Sequence, residues 1–340
     1  MSKFRYFMRV LSGMRFKKMK GALDVCHEKS GKSRFVMFFD MLWCMARYGA
    51  GYYDYKIFGF YGLNGKQRAT IVTRMKNKRL ISKLNDEEFC AIYDDKNAFA
   101  KLFSEFLRRD FLDMRDITPE NLREFVKGKD VIFAKPNNGT SGYGIEKLRP
   151  ADFESAEALY TYLTGSDKEF GLLEEEIVQH PDINALYPLS INTMRIVTLH
   201  DDNGEVHVIY TTLKMGDGGR FVDNLDNGGM CVPVDPEREC LIGVAHTARL
   251  EVLDRHPYSG IIFDGYRIPY VKEAHEMVKK AAQKVPEIRY SGWDICIMPD
   301  GPAVVESNNY PGYDFWQLPE QTPDKTGLWP TYKRLVPGLK

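Results

Sequence analysis

The sequence predicts an α+β protein in which a mostly helical N-terminal part precedes a larger part that mixes helices with antiparallel strands. Residues 1–90 carry helical patterns, among them the apolar run 35–48. From residue 95 onward helix and strand patterns mix, and the Asn203-Gly204 dipeptide precedes an alternating segment, 205–215. Asn-Gly between strand-like segments is a strong hairpin signal, so we expect neighbouring strands to pair in antiparallel fashion.

The elements of the second part follow in chain order. Thr118-Pro119 marks a helix start, because Thr is a favoured N-cap and Pro suits the first helical position. Residues 131–178 predict a strand, a glycine-rich loop, a strand, a helix and a strand. Residues 271–284 predict a helix that precedes a last hairpin. We therefore expect three parts: a helical lobe over 1–90, a mixed domain over 91–320 and a C-terminal tail over 321–340.

The amino-acid composition excludes some classes of protein. The 340 residues are enough for two or three lobes, and Lys plus Arg balances Asp plus Glu at 47 each. That balance argues against a general nucleic-acid binder. The six cysteines include no CxxC pair and no histidine at zinc spacing, which indicates reduced thiols and a cytoplasmic protein. No apolar stretch is long enough for a membrane span, and the N-terminus lacks the apolar region of a secretory signal.

The first twenty residues are unusually basic. They hold seven Lys or Arg residues and no acidic residue, and apolar side chains between Phe4 and Leu11 recur at helical spacing. Such a segment can lie on an anionic membrane surface, which predicts peripheral contact through residues 1–20 at the inner face of the membrane. A basic helix packed on its own protein, or a frayed chain end, gives the same pattern.

The hairpin near the end of the chain carries the clearest chemical signal. Two segments rich in Ile and Val flank Pro299-Asp300-Gly301, which suits a three-residue loop with Gly301 in the left-handed conformation. In that register Asp294 lies opposite Glu306, and Asn308 shares their face. Two carboxylates and an amide oxygen on one face are ligands that Mg²⁺ takes alongside phosphates. Polar residues on a solvent-facing strand are the alternative.

A glycine-rich loop supplies a second signal. An apolar strand ends at Lys135, and the residues that follow supply flexible backbone and hydroxyl donors: Gly139, Thr140, Ser141, Gly142 and Gly144. Successive backbone N–H groups in such a loop can surround a phosphate, and a lysine adds a compact charge. The loop is neither a Walker loop nor a dinucleotide fingerprint, because a strand follows it. An ordinary glycine-rich hairpin turn is the alternative.

Together these stretches resemble the ATP-grasp superfamily, and further landmarks appear in that family's order. Asp95-Lys96 ahead of a helical pattern resembles its early lysine, and 172–177 resembles its adenine hinge. The amino-acid sequences of segments 179–181 and 190–193 most resemble the sugar-transfer-associated ATP-grasp subfamily. The resemblance spans residues 90 to 320. It implies two α+β lobes that clasp ATP between antiparallel sheets, with the lid subdomain and hinge inside 131–178.

The resemblance also implies roles for individual residues. Lys96 and Lys135 would hold the α- and β-phosphates, and the loop around Gly142 would close over the triphosphate. Arg195 and Lys214 would steady the γ-phosphate, although Lys214 stands where relatives commonly carry arginine. The remaining contacts fall into two sets: Glu174, Glu175, Ile177 and Asp182 toward adenine and ribose, and Asp294, Glu306 and Asn308 toward one or two Mg²⁺ ions. Three consecutive glutamates leave open which one faces the ribose.

The activity that this resemblance implies is ATP-dependent joining of a carboxylate to an amine through an acylphosphate, with release of ADP and phosphate. The substrates would be small-molecule or lipid-linked sugars in cell-surface polysaccharide or glycoconjugate synthesis. A kinase on the same fold and a non-catalytic glycan-binding or scaffold protein are the alternatives. The base that accepts the amine proton is left open among His180, His246 and Asp223, each of which also suits a structural role.

Overall fold

The structure, a computed structural model, describes residues 16–137, 143–216 and 228–339. These residues form two compact units, one of 16–84 with 312–339 and one of 85–311. The part boundaries after residues 90 and 320 stay predictions. In the structure the chain from residue 312 onward groups with the N-terminal helices rather than with the mixed domain.

The first unit is helical up to residue 84. Its helices are α1 Phe16–Ser30, α2 Arg34–Tyr48, α3 Tyr52–Ile57, α4 Gly65–Thr70 and α5 Arg74–Leu84. Gly49 caps the C-terminus of helix α2. Its positive φ of 68° allows its backbone N–H to donate a hydrogen bond to a carbonyl oxygen of the last turn. Asp40 on α2 accepts two hydrogen bonds from Arg68 at 2.7 Å each, and one from the Tyr55 hydroxyl at 2.8 Å. This network ties α2 to α3 and α4.

The second unit combines short helices with two antiparallel sheets. Its helices are α6 Glu87–Asp94, α7 Lys96–Leu102, α8 Ser104–Leu107, α9 Pro119–Val126, α10 Ala156–Gly165, α11 Pro181–Leu186 and α12 Val271–Ala282. Asp95 caps α7 by accepting hydrogen bonds from the N–H groups of Asn97 and Ala98. Thr118 caps α9 with Pro119 at the first helical position, as the sequence predicts. A last helix, α13 Trp329–Leu335, belongs to the first unit.

The smaller sheet has four strands in the order β1-β4-β2-β3. They are β1 Phe111–Asp113, β2 Ile132–Pro136, β3 Glu146–Leu148 and β4 Phe170–Glu175. Burial alternates along β2, so Ile132 and Ala134 join Leu122 of α9 and Leu159 of α10 in a core on one face. Lys135 therefore points to the other face, which these two helices leave uncovered.

The larger sheet has eight strands, in the order β10-β9-β7-β6-β5-β11-β12 with β8 beside β7. Its strands are β5 Thr193–His200, β6 Val206–Met215, β7 Met230–Asp235, β8 Cys240–Leu241, β9 Ala245–Thr247, β10 Val252–Leu253, β11 Tyr290–Met298 and β12 Gly301–Asn308. Apolar side chains on one face, such as Ile196 and Leu213, pack with Val278 of α12 in the main core. The other face carries Arg195 and Lys214, which lie one residue from these core positions.

The β11–β12 hairpin confirms the predicted pairing of Asp294 with Glu306 but corrects the turn. Met298 pairs directly with Gly301, so the loop has two residues rather than three, and Gly301 opens β12 with a positive φ of 134°. The additional residue lies at Val305, in a β-bulge where the register shifts. A bulge and a longer loop each move the register by one residue, so both place Asp294 opposite Glu306.

None of the helices in 16–137, 143–216 and 228–339 has the length and apolar character needed to cross a membrane.

Candidate functional site

One face of the larger sheet gathers charged side chains from four neighbouring strands. Asp294 of β11 lies between its cross-strand partners Glu306 of β12 and Arg195 of β5. Lys214 of β6 pairs with Thr193, two residues before Arg195. Cross-strand partners, and residues two apart on a strand, point to the same side of a sheet. The sheet therefore brings two carboxylates and two cations to one face.

Asp294 is the buried centre of this group. Its Oδ1 atom accepts from Arg195 Nε at 2.5 Å, and its Oδ2 atom accepts from Arg195 Nη2 at 3.0 Å and Lys214 Nζ at 2.8 Å. Burial by itself raises the pKa of Asp294, but the two cations outweigh burial and hold the pKa below its ordinary value. The same pairing raises the pKa of Arg195 against the effect of its burial. Arg195 and Lys214 thus favour the ionised form of Asp294.

The Glu306 carboxylate differs from that of Asp294 in its exposure and its contacts. It makes no hydrogen bond or ion pair with any residue that the structure describes, and its side chain is reached by solvent. Surrounding protein atoms and the facing Asp294 nevertheless raise its pKa. Asn308 follows on the same face and is partly exposed. An accessible carboxylate opposite a second one, with an amide oxygen beside them, is suited to a hard cation such as Mg²⁺.

A second charged cluster lies on the smaller sheet. The buried Glu174 carboxylate of β4 accepts from Arg109 Nη2 at 2.7 Å and pairs with Lys135 of β2. Burial raises the pKa of Glu174, and the two cations more than reverse this, leaving the pKa at about 2. The family resemblance predicts that Lys135 and Glu174 contact the nucleotide. The structure places them in contact with each other, and their contact with a nucleotide stays a prediction.

Arg109 was missed by sequence reasoning. Its guanidinium is almost fully buried, and it donates to the carbonyl oxygens of Val304 at 2.6 Å and Val305 at 3.2 Å. It therefore joins Glu174 of the smaller sheet to the β-bulge that sets the position of Glu306. Arg109 lies 65 residues from Glu174 and 195 from Val304. No local pattern links residues so far apart, so the sequence carries no signal for these contacts.

Lys96 starts α7 and reaches the end of β2. Its Nζ atom donates to the carbonyl oxygens of Pro136 at 3.0 Å and Asn137 at 3.3 Å. Burial and the charge of Lys135 lower its pKa, while Glu306 among other acids acts in the opposite direction. Two lysines are thus held near the glycine-rich loop, and both sense the Glu306 carboxylate.

The glycine-rich loop joins β2 to β3, as predicted. Gly144 has a positive φ of 80°, and a Cβ atom there would lie 3.2 Å from Pro136, so both backbone shape and space favour glycine. The other predicted loop residues lie outside the described residues: Gly139, Thr140, Ser141 and Gly142.

The predicted hinge is strand β4 followed by a segment without regular secondary structure, 176–180. The Glu175 N–H donates to the carbonyl oxygen of Asp110, and the Glu175 carboxylate accepts from the Asp110 N–H. Ile177 lies beyond the strand, in this irregular segment. Asp182 is in the first turn of α11 with an exposed side chain, and its carbonyl oxygen accepts from the Tyr266 hydroxyl. Contacts of these residues with adenine or ribose stay predictions.

The structure describes two of the three residues that are candidates for the base. His180 caps α11 by accepting a hydrogen bond from the Asp182 N–H, which is a structural role. His246 is buried on β9 and pairs across the sheet with Cys231. Asp223 lies outside the described residues. The geometry does not select any of them as the base.

Gly292 is a further position that sequence reasoning passed over. It lies on β11 two residues before Asp294, and a Cβ atom there would be 3.3 Å from Cδ of Arg195 and 3.2 Å from Cβ of Pro311. Its missing side chain leaves the room in which Arg195 extends to Asp294. A glycine within a strand often marks such a close approach, which is the signal available in the sequence.

The model of one protein family, described as sugar-transfer associated ATP-grasp, matches residues 75–331. The chain belongs to this family. The match covers most of the chain, confirms the resemblance seen in the motifs and identifies the two antiparallel sheets as the ATP-grasp fold. Among curated proteins, none matches the sequence of this ATP-grasp protein.

Several solved structures are similar to this ATP-grasp chain at low identity. The ATP-grasp ligase PsnB with its minimal precursor has 16% identity and a TM-score of 0.42, over 74% of this chain and 64% of that one. The D-cycloserine synthetase DcsG has 12% identity and a TM-score of 0.42, over 72% of each chain. D-alanyl-alanine synthetase A from Vibrio cholerae has 13% identity and a TM-score of 0.39, over 72% and 60%. The chain spans less than two thirds of the length of the PsnB structure.

Proposed function

We propose that this protein is an ATP-dependent carboxylate–amine ligase, which forms an amide through an acylphosphate and releases ADP and phosphate. The observation that carries this proposal is the face of the larger sheet, where Asp294 and Glu306 stand opposite each other beside Arg195 and Lys214. Phosphoryl transfer needs positioned charges rather than covalent help from the protein, and this face supplies charges of both signs.

The residues present fit Mg²⁺. Glu306 is accessible, makes no ion pair within the described residues, and faces a second carboxylate that stays ionised. A divalent cation would relieve the repulsion between Glu306 and Asp294, with Asn308 as a third oxygen donor. One or two ions held by these three residues would neutralise charge on the terminal phosphates.

The cations around this pair would hold the nucleotide. Arg195 and Lys214 are fixed by Asp294 and would bind the γ-phosphate and the acylphosphate oxygens. Lys96 of α7 and Lys135 of the smaller sheet would bind the α- and β-phosphates. Backbone N–H groups of the loop that ends at Gly144 would cover the triphosphate, with Gly139, Thr140, Ser141 and Gly142 contributing to it. Exclusion of water there would protect the acylphosphate.

The hinge would hold adenine and ribose. Strand β4 and the irregular segment after it would supply the contacts, from Glu174 and Glu175 at the strand end, Ile177 beyond it and Asp182 on α11. The exposed Asp182 side chain suits a hydroxyl-rich ligand. Burial of Glu174 between Arg109 and Lys135 suits a role through Lys135, because the anion fixes where that lysine points.

The reaction would proceed in two steps. A substrate carboxylate oxygen attacks the γ-phosphorus atom, the bond to the β-phosphate oxygen breaks, and ADP leaves. The amine nitrogen then attacks the acyl carbon, the bond to the phosphate oxygen breaks, and the nitrogen gives up a proton. The association of the family with sugar transfer agrees with a sugar as one substrate. We propose that this sugar is soluble or lipid-linked and that the reaction belongs to cell-surface polysaccharide or glycoconjugate synthesis. With a lipid-linked substrate, residues 1–20 would contact the cytoplasmic face of the membrane.

An oxygen-transfer experiment tests the mechanism. The protein is incubated with Mg²⁺-ATP, a hexuronic acid labelled with ¹⁸O in its carboxylate, and each common amino acid in turn. A ligase transfers one labelled oxygen to the released phosphate, because the first step joins that oxygen to phosphorus and the second step breaks its bond to the acyl carbon. A kinase leaves the phosphoryl group on one substrate. Absence of both phosphate release and phosphorylated product in every pair would favour the non-catalytic alternative. Glu306→Gln is the control for contaminating ATPase.

A further inference from the structure

Helix α2 presents an aromatic stripe to solvent. The exposed fractions are 72% for Phe35, 61% for Val36, 53% for Phe39 and 60% for Trp43. Residues 35, 39 and 43 are four apart, which places them along one side of an α-helix. The rings of Phe35 and Phe39 pack edge to face with centroids 4.9 Å apart, so these two side chains form one surface.

The opposite side of α2 is apolar as well. Met37, Met41 and Cys44 are almost fully buried in the first unit. A helix that is apolar around its circumference is normally buried on all sides or lies in an apolar medium. The single acidic residue of α2, Asp40, is held by Arg68 and Tyr55 and so does not interrupt the stripe. Aromatic exposure on this scale marks an interaction surface.

The charge around the stripe identifies its partner. Residues 16–48 contain seven Lys or Arg residues and three acidic ones, and residues 1–15 add four basic residues and none acidic. The chain as a whole is neutral, so this region is strongly basic against its background. Exposed basic residues lie on α1 at Lys17, Lys18 and Lys20, and at both ends of α2 at Arg34 and Arg47.

We propose that α2 is a membrane-binding helix, which inserts Phe35, Val36, Phe39 and Trp43 into the interface of an anionic lipid bilayer. Aromatic and aliphatic side chains on one helix face, bordered by lysine and arginine, are typical of helices that lie in the plane of a membrane. A second copy of the chain fits less well, because it would bring two basic surfaces together. The proposal concerns the first unit and is independent of the ligase activity.

Vesicle sedimentation tests this surface with the full chain. Vesicles of equal parts phosphatidylglycerol and phosphatidylcholine should bind the protein, more weakly at high salt, and vesicles of phosphatidylcholine alone should bind it less. The triple variant Phe35→Ser, Phe39→Ser, Trp43→Ser should bind on the order of a hundredfold more weakly. Lys17→Gln with Lys18→Gln and Lys20→Gln should lose about tenfold, on the anionic vesicles only.

The matched control removes exposed apolar side chains from the other unit. Val252→Ser with Ile262→Ser should bind vesicles as the wild type does, because these exposed residues lie outside α2. Circular dichroism should show the same helix content for every variant. Lipids brominated in their acyl chains should quench tryptophan fluorescence in the wild type. This quenching should disappear in Trp43→Phe while binding persists.

Three results would overturn the proposal. The first is that the wild type fails to bind anionic vesicles. If a variant without residues 1–15 then binds them, the partner of the stripe is that segment of the chain rather than a membrane. The triple serine variant binds as well as the wild type, which would leave basic residues alone responsible. The wild type is a dimer in the absence of vesicles and the triple variant is a monomer, which would assign the stripe to a second copy.

Discussion

Two buried carboxylates of the second unit are held in the same way and yet differ in surroundings. Glu174 lies between Arg109 and Lys135 on the smaller sheet, and Asp294 lies between Arg195 and Lys214 on the larger one. In each cluster two cations lower the pKa of the acid although burial acts against them. The clusters therefore share one electrostatic design.

The difference lies in the second acid. Asp294 faces Glu306, which is accessible and has no ion-pair partner among the described residues, whereas the Glu174 cluster contains one acid and two cations. The Glu174 cluster thus carries surplus positive charge, suited to phosphate, and the Asp294 cluster holds a carboxylate available to a cation. An arginine and a lysine around a buried acid can therefore belong to an anion site or to a cation site, depending on whether a second carboxylate lies beside them.

Removing Arg109 should give the largest effect, because it breaks the closed cluster. Arg109→Met leaves Glu174 buried with Lys135 alone and deprives Val304 and Val305 of their donor. We expect the free energy of unfolding to fall by about 3–5 kcal/mol. Urea denaturation measures it. Arg108→Met is the control, since Arg108 pairs with the exposed Asp300 and should cost less than about 1 kcal/mol.

A double variant sharpens that result. Arg109→Met with Glu174→Gln should be more stable than Arg109→Met alone, because the unpaired buried charge is then absent. Equal stability of the two variants would show that Arg109 acts mainly through the β-bulge carbonyls rather than through Glu174.

The next largest effect should be the contribution of Glu174 to stability at acid pH. Its pKa of about 2 lies below the ordinary value of 4.5, so the folded state favours the ionised form. The resulting stability is fully present above pH 4.5 and is lost as the pH falls toward 2, by about 3 kcal/mol at most. The loss of unfolding free energy from pH 7 to pH 3 should be smaller in Glu174→Gln than in the wild type. An identical loss in both proteins would contradict the assigned pKa.

Arg195→Lys should have a moderate effect on the open cluster. Lysine keeps the charge beside Asp294 but cannot make the two-atom contact that the guanidinium makes. We expect kcat in the ligase assay to fall about tenfold, with the stability changed by less than about 1 kcal/mol. A fall in stability without a change in kcat would make Arg195 a structural residue only.

Gly292→Ala should have the smallest effect. The new methyl group would need Arg195 or Pro311 to give way by a few tenths of an ångström, so a cost of about 1 kcal/mol is expected. Gly165→Ala is a matched control at the end of α10, where a Cβ atom meets nothing within 4 Å, and it should be neutral or slightly stabilising. Thermal unfolding of both variants distinguishes these outcomes.

The sequence predicts much of the fold because the informative patterns are local. Hairpin signals place Asp294 opposite Glu306, and the strand–loop–strand order around Lys135 is confirmed. The turn before Gly301 was assigned one residue too many, since a β-bulge at Val305 produces the same register from a shorter loop. Arg109 escaped prediction because its partners become neighbours only when the two sheets assemble.

The central claim is that Glu306 binds a cation that enters the site together with the nucleotide. Calorimetric titration with a non-hydrolysable ATP analogue, with and without Mg²⁺, tests it in the wild type, Glu306→Gln and the exposed control Glu273→Gln. Mg²⁺-dependent binding in the wild type and control, weakened about tenfold or more in Glu306→Gln, is the predicted result. Equal affinity in all three proteins, or no binding by the wild type, would contradict the account.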